Sequence, residues 1–411
     1  MVDVVECAYL MGADLAFVPS GRLAIDNGRI ADLRVLPEGG PSTKGPFCFP
    51  GCLAIPALTN AHVHLRDAAV AEAAVGQELE QAVIGPQSTR MQRLRAKGRT
   101  ERVSAMRRAL SEMGRLGTGL VGDFCDGGAE GVLETREATR GLPMDIVILG
   151  RLRSPQTTDA VRANAPLTPS QKSELDELLD VADGFATATV NDYSDEAWRD
   201  IGRKLRSLKK FMSVHLAESA EQRVTSLELC KRDDVTRALE IEPDQLVHLT
   251  QIVPEGLDRV IRSQIPVVAC PRSNGAMGLG YPPIMQLLDA HHPVALGTDN
   301  VMLNSGNLWR ELEYSAKAYR AIERTSRAPS SRELLKCVMA HGARALGREA
   351  SFGSIETGKR ADFVIVRSAV LSGVDPRDWP SVLAHRLEPY DILGRFYNGV
   401  WLQNDWGEAA A

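Results

Sequence analysis

The stretch Cys52-Leu53-Ala54-Ile55-Pro56-Ala57-Leu58-Thr59-Asn60-Ala61-His62-Val63-His64 decides how the rest of the chain is read. Its apolar first half, Cys52 to Leu58, reads as a buried strand that leads into the two histidines. Side chains alternate across a strand, so His62 and His64 share one face and Val63 takes the other. Two neutral imidazoles converging at a strand end make half of a divalent-metal site. From these residues alone the alternative stays open that the pair only caps a strand.

Outward from this stretch, seven further apolar runs alternate with helical segments. They are Gly119–Phe124, Met144–Gly150, Val181–Phe185, Phe211–His215, Gln245–Leu249, Ile265–Cys270 and Pro293–Gly297. Amphipathic segments such as Arg102–Leu116, Ser170–Val181, Ala220–Leu239 and Pro254–Ser263 lie between them, and Arg332–Leu346 ends the series. Eight strand–helix units over roughly 300 residues predict an α/β fold, a (β/α)8 TIM barrel.

The flanks have a different character. In Gly21–Leu33 an Asn27-Gly28 step separates two apolar alternations, which is a hairpin signal, and Pro37–Pro46 is a Pro/Gly/Ser loop. Gly353–Val366 returns to turns and strand, and Asn398-Gly399 marks another tight turn. Neither end alone can bury an apolar face. The two therefore predict one small β-sandwich domain made of 1–52 and 351–411, leaving 53–350 as a metal-dependent catalytic barrel.

The chain has 411 residues, 44% hydrophobic and 25% charged, which suits a soluble globular protein with a large core. Its formal charge of −5, from 48 basic and 53 acidic residues, argues against a nucleic-acid partner. The basic cluster between Arg90 and Arg108 is interleaved with Glu101 and apolar residues, and reads as a solvated helix face. Seven cysteines, an odd number with no Cys-x-x-Cys pair, fit a reduced cytoplasmic setting. No signal peptide and no membrane-spanning run is expected. The sheet domain and exposed helices leave room for a homodimer.

Barrels of this kind keep their chemistry at the C-terminal strand ends. The residues there are His62 and His64 at the first strand, His215 at the fifth, His248 at the sixth and Asp299 at the eighth. His291 and His292 precede the eighth strand and are expected to face solvent at the opposite rim. His341 lies in a helix and His385 in the tail.

At five places the chain resembles the amidohydrolase superfamily. These are Pro56–His64, His215-Leu216-Ala217-Glu218-Ser219, His248-Leu249-Thr250, Cys270-Pro271-Arg272-Ser273-Asn274 and Leu296-Gly297-Thr298-Asp299-Asn300. The segment Gly353–Val364 is also similar to that superfamily's closing strands. The branch most resembled holds s-triazine hydrolases and guanine, cytosine and adenosine-type deaminases. The resemblance implies one divalent metal ion held by His62, His64, His215 and Asp299, with Zn2+ favoured and Fe2+ or Mn2+ open. The lysine that bridges two metals in binuclear relatives is missing from the fourth run, Asp183–Ala188. Such an ion lowers the pKa of water toward ~7. By the same resemblance Asp299 takes the water's proton. Glu218 protonates a ring nitrogen and passes the proton to the leaving group. His248 hydrogen-bonds the reacting centre or orients a ligand. The alternative for Glu218 is an acid placed to suit a helix N-terminus.

Substrate contacts are expected from Arg66 and Asp67 behind the histidine pair, from Arg272, Ser273 and Asn274 after the seventh strand, and from Asn300. Leu65–Gln92 is long for a βα loop and reads as a lid. The expected function is deamination of an aminated heterocycle, a purine, pyrimidine, pterin or adenosine derivative, with release of ammonia. Two alternatives stand beside it: hydrolysis of an amide, cyclic imide or chloro-s-triazine, and a barrel that has lost catalysis and serves as a scaffold. The absent Pro-Cys-x-x-Cys excludes the Cys/His/Glu zinc deaminases.

Overall fold

A computed structural model describes residues 3–37, 47–85, 87–375 and 377–404. The N-terminal flank forms β1 (Asp3–Met11), β2 (Ala16–Asp26), β3 (Arg29–Val35) and β4 (Phe47–Pro56). Asn27 and Gly28 join β2 to β3 with φ of 49° and 76°. Two left-handed residues are what a type I′ hairpin requires, which explains the Asn-Gly step. The predicted Pro37–Pro46 loop lies, after Pro37, outside the described residues.

The barrel strands follow in chain order as β5 (Leu58–His64), β6 (Thr118–Cys125), β7 (Asp145–Gly150), β8 (Gly184–Thr187), β9 (Phe211–Leu216), β10 (Gln245–His248), β11 (Val267–Ala269), β12 (Val294–Leu296) and β13 (Asp299–Asn300). Neighbours in sequence are parallel neighbours in space from β5 to β12. The last two are one barrel strand interrupted at Gly297-Thr298. Its second piece returns to the first strand, pairing Asp299 with Val63 and Asn300 with His64. This closes the expected (β/α)8 barrel.

The C-terminal flank adds β14 (Phe363–Val366), β15 (Ile392–Tyr397) and β16 (Val400–Gln403). Both chain ends share one seven-stranded sheet in the order β16-β15-β14-β4-β1-β2-β3. The sheet curls so that the β2–β3 turn reaches the segment before β14, with the Ala361 amide donating to Gly28 O at 2.9 Å. Inside the curl pack Val5, Tyr9, Leu23, Ile25, Phe363 and Phe396.

Several local expectations change. Cys52–Leu58 is not one strand feeding the histidines: β4 ends at Pro56 in the small sheet and β5 begins at Leu58 in the barrel. At the junction the Ala57 amide donates to Asp362 O and the Leu58 amide to Gly117 O, so the chain changes partners within one residue. The Ala220–Leu239 segment is two helices, Ala220–Cys230 and Asp234–Ile241, broken at Lys231 with φ of 58°. Arg332–Leu346 is likewise two, Ser331–Cys337 and Ala340–Ala345. His292 does not face solvent: it is buried, with Nε2 2.9 Å from Ile265 O, and only His291 is exposed. Among the described residues no helix is long and apolar enough to cross a membrane.

Candidate active site

The five strand-end residues converge. His62 Nε2 lies 3.1 Å and His64 Nε2 3.3 Å from the same oxygen, Asp299 Oδ1. Ligand atoms of His62, His64 and His215 fall within 4.8 Å of one another, as do those of His62, His248 and Asp299. The ring of Phe124, at the end of β6, packs against His62 with centroids 4.0 Å apart and closes one side of the cluster.

The outer nitrogens of two ligand candidates are tied to backbone carbonyls. His64 Nδ1 is 3.1 Å from Phe124 O, and His215 Nδ1 is 2.6 Å from Thr187 O. A carbonyl only accepts, so each Nδ1 carries a proton and each Nε2 is the nitrogen turned to the cluster. Burial pushes His62 down to about 3 and His215 well below the usual range, so both rings are neutral. Burial would lower His64 too, but its hydrogen bond to Asp299 and the charge there outweigh it and raise it. Burial would raise Asp299, but hydrogen bonds from His62 and His64 hold it well below the usual range. Imidazole nitrogens aimed inward beside an ionised carboxylate are the donor set a divalent ion takes, displacing any proton they hold.

Backbone conformation places these groups. Ala217, His248 and Asp299 have φ of 49°, 79° and 56°. A non-glycine residue held there costs roughly 1–3 kcal/mol, and such strain concentrates at functional sites. Ala217 turns the chain out of β9 so that Glu218 stands beside His248, Oε1 to Nε2 3.8 Å. Burial raises the Glu218 carboxyl. Asn60 fastens the first barrel strand to the eighth: its Nδ2 donates to Thr298 Oγ1 at 2.7 Å, and its Oδ1 accepts from Thr298 N at 3.0 Å.

The residues read as substrate contacts are mostly engaged elsewhere. Arg66 donates to Asp126 O at 2.8 Å and pairs with buried Glu134 at 3.2 Å. Asp67 is fully buried, with Arg90 Nε 2.6 Å from its Oδ1. Asn300 accepts from the Met302 amide at 2.9 Å, which shapes the turn after the eighth strand. The Arg272 amide donates to Glu311 at 2.8 Å. Ser273 Oγ donates to Asp299 Oδ2, and Asn274 Nδ2 is 3.3 Å from His248 Nδ1. Ser273 and Asn274 thus reach the cluster itself.

Three residues of this region were not singled out as site residues in the sequence reading. Arg90 is not part of a solvated face: it is 3% exposed and pairs with Asp67 and Asp126. It ties the Leu65–Gln92 segment down at its root, where Leu65–Val70 forms a 3-10 helix. Arg151, after β7, pairs with Asp126 and lines the cavity that also holds His64, Phe124, Thr187 and His215. Phe124 and Arg151 were findable, since each stands at the C-terminal end of a barrel strand.

Comparison with known proteins shows the family and the fold. The profile of the Amidohydrolase family matches residues 53–388. A protein of Methanothermobacter thermautotrophicus, provisionally named an aminohydrolase, is 36% identical over 321 residues, 78% of this chain and 80% of the relative. A 5-methylthioadenosine/S-adenosylhomocysteine deaminase of Thermoanaerobacter pseudethanolicus is 27% identical over 49% of this chain and 48% of its own length. A zinc-bound adenosine deaminase from Xanthomonas campestris has the same fold, with a TM-score of 0.79 at 20% identity over 97% of this chain and 92% of that one. A barrel carrying this donor set, matched by the family profile over most of its length, makes the protein a member of the amidohydrolase family, an enzyme of carbon–nitrogen bond hydrolysis.

Proposed function

We propose that this chain deaminates an aminated heterocycle, with a divalent ion, zinc first, held by His62, His64, His215 and Asp299. The observation that carries the reading is Glu218: a partly buried carboxyl with a raised pKa, beside His248 and at the edge of the donor cluster. A carboxyl that stays protonated closer to neutral pH can give its proton to a ring nitrogen, which amidine-type substrates need and simple amides do not. The bound ion would supply the Lewis acidity that makes water nucleophilic near neutral pH. Asp299, with Ser273 on its other oxygen, is the base. Glu218 protonates the ring nitrogen, the proton taken by Asp299 moves through Glu218 to the departing amine, and the proton left on the added oxygen returns to Glu218 as ammonia leaves. His248, steadied by Asn274, hydrogen-bonds the oxygen added at the ring carbon.

Adenosine derivatives stand first among the substrates, supported by the relative named for 5-methylthioadenosine and S-adenosylhomocysteine. Guanine, pterins and aminopyrimidines follow. The described residues contain no disulfide, in keeping with the cytoplasmic setting we assign. The chemistry belongs to the barrel between 53 and 350, and the sheet from both ends supports it. The test is ammonia release across those amines with purified zinc-loaded protein. Glu218→Gln should lower kcat by about 100-fold or more on any amine that reacts, within the usual range for a general acid–base residue. Full activity in that variant, or turnover of amides and chloro-s-triazines alone, refutes the reading.

A further inference from the structure

Three consecutive residues after the seventh barrel strand divide their attention. Ser273 and Asn274 face inward, to Asp299 Oδ2 and His248 Nδ1. Arg272 faces outward, to Glu311 on the helix Leu308–Glu323. Glu311 is fully buried. One carboxylate oxygen accepts the Arg272 amide at 2.8 Å, and the other stands 3.5 Å from the guanidinium. The same guanidinium donates to Ser305 O and Asn307 O, both at 3.3 Å, so it clamps the start of the helix as well. Burial pushes the Glu311 carboxyl up to about 7, although Arg272 pulls the other way. Burying an acid at such cost calls for a return elsewhere in the molecule.

We propose that Glu311 is a positioning residue: through Arg272 it holds the turn Pro271–Ala276 so that Ser273 meets Asp299 and Asn274 meets His248. This rests on the reading of Asp299 as a metal ligand and His248 as a catalytic group. Ser273 occupies one carboxylate oxygen and leaves the other facing His62 and His64. Asn274 fixes the His248 ring, with its Nε2 turned toward Glu218. Both contacts depend on one backbone segment, and Glu311 accepts the amide at its start.

Two measurements test it. The first is zinc affinity by chelator competition for the wild type, Glu311→Gln, Glu311→Ala, Ser273→Ala and the Glu311→Ala/Ser273→Ala double variant. Glu311→Ala and Ser273→Ala should each weaken zinc about tenfold, the usual cost of losing a group that orients a ligand. The double variant should be no weaker than Ser273→Ala alone, because both act on one contact. Glu311→Gln keeps an acceptor for the Arg272 amide and should bind like the wild type. Factors that multiply, or Glu311→Ala with wild-type affinity, overturn the relay. The second measurement, 15N spectra of the His248 imidazole in metal-free protein, does not depend on the ligand reading. Glu311→Ala and Asn274→Ala should shift the ring nitrogens alike and Glu311→Gln should not; an unmoved ring in Glu311→Ala overturns the proposal. Should Glu311→Ala fail to fold, Glu311→Asp retracts the acceptor by one methylene and serves both assays. Zinc uptake unchanged by His215→Ala would instead sink the ligand assignment, and the spectra would then decide the relay.

Discussion

Replacing Gly297 by alanine tests whether the site depends on how closely the eighth strand approaches the first. A Cβ at 297 would lie 2.6 Å from His62 Cβ, 2.7 Å from His62 O and 2.9 Å from His62 N. Ordinary contact begins at 3.4 Å. The added carbon therefore intrudes by about 0.8 Å, and it meets backbone and a Cβ, which cannot rotate away. The strands must part at the point that the Asn60–Thr298 hydrogen bonds hold together. Overpacking of this kind costs about 1–3 kcal/mol in stability. Asp299, two residues on, moves with its strand while His62 does not, and metal ligands tolerate displacements of only about 0.2 Å. Zinc affinity should then fall at least about tenfold, roughly 1.4 kcal/mol. The assay is chelator competition alongside thermal unfolding. Gly141→Ala is the control: its φ of 74° makes alanine strained but nothing lies within 4 Å, so it should cost stability and leave zinc unchanged. Wild-type zinc affinity in a folded Gly297→Ala protein would refute the reasoning.

Arg90→Met should destabilise the fold by about 3–5 kcal/mol in denaturant unfolding, because it strands the buried Asp67 carboxylate and leaves Asp126 with Arg151 alone. A loss under 1 kcal/mol would mean that these charges are solvated. The pH dependence of stability offers a check on Glu311, whose folded pKa of about 7 exceeds its ordinary 4.5. A raised carboxyl contributes stability below the lower value and loses it as pH rises through the upper one. Metal-free wild type should therefore lose on the order of 3 kcal/mol from this group between about pH 4.5 and 7, and Glu311→Gln should not. A stability gap between the two proteins that is the same at pH 5 and pH 8 would contradict it.

The residues of the cluster were legible because strand periodicity is a local property. His62, His64, His215 and His248 each lie at the end of a short apolar run, and counting runs puts those ends on one rim. The same locality explains the errors. Cys52–Leu58 is apolar throughout, so nothing within it marks where β4 gives way to β5. Arg90 sits in a basic cluster whose pattern favours solvent. Its two carboxylates come from 23 residues before it and 36 after, beyond any window that periodicity reads. His292, between an exposed histidine and a proline, is buried with its Nε2 against the Ile265 carbonyl, 27 residues back in the segment before β11.

From sequence alone came the eight strand–helix units, the sheet built from both chain ends and the identity of the convergent histidines and aspartate, because each depends on spacing along the chain. Tertiary structure alone decided which nitrogen each ring presents, since Phe124 O and Thr187 O choose it. It alone turned Arg66, Asp67 and Arg272 away to buried partners and brought Ser273 and Asn274 to the cluster. It also put Gly297 against His62, two positions 235 residues apart in the chain, where the barrel closes and only a residue without a Cβ fits.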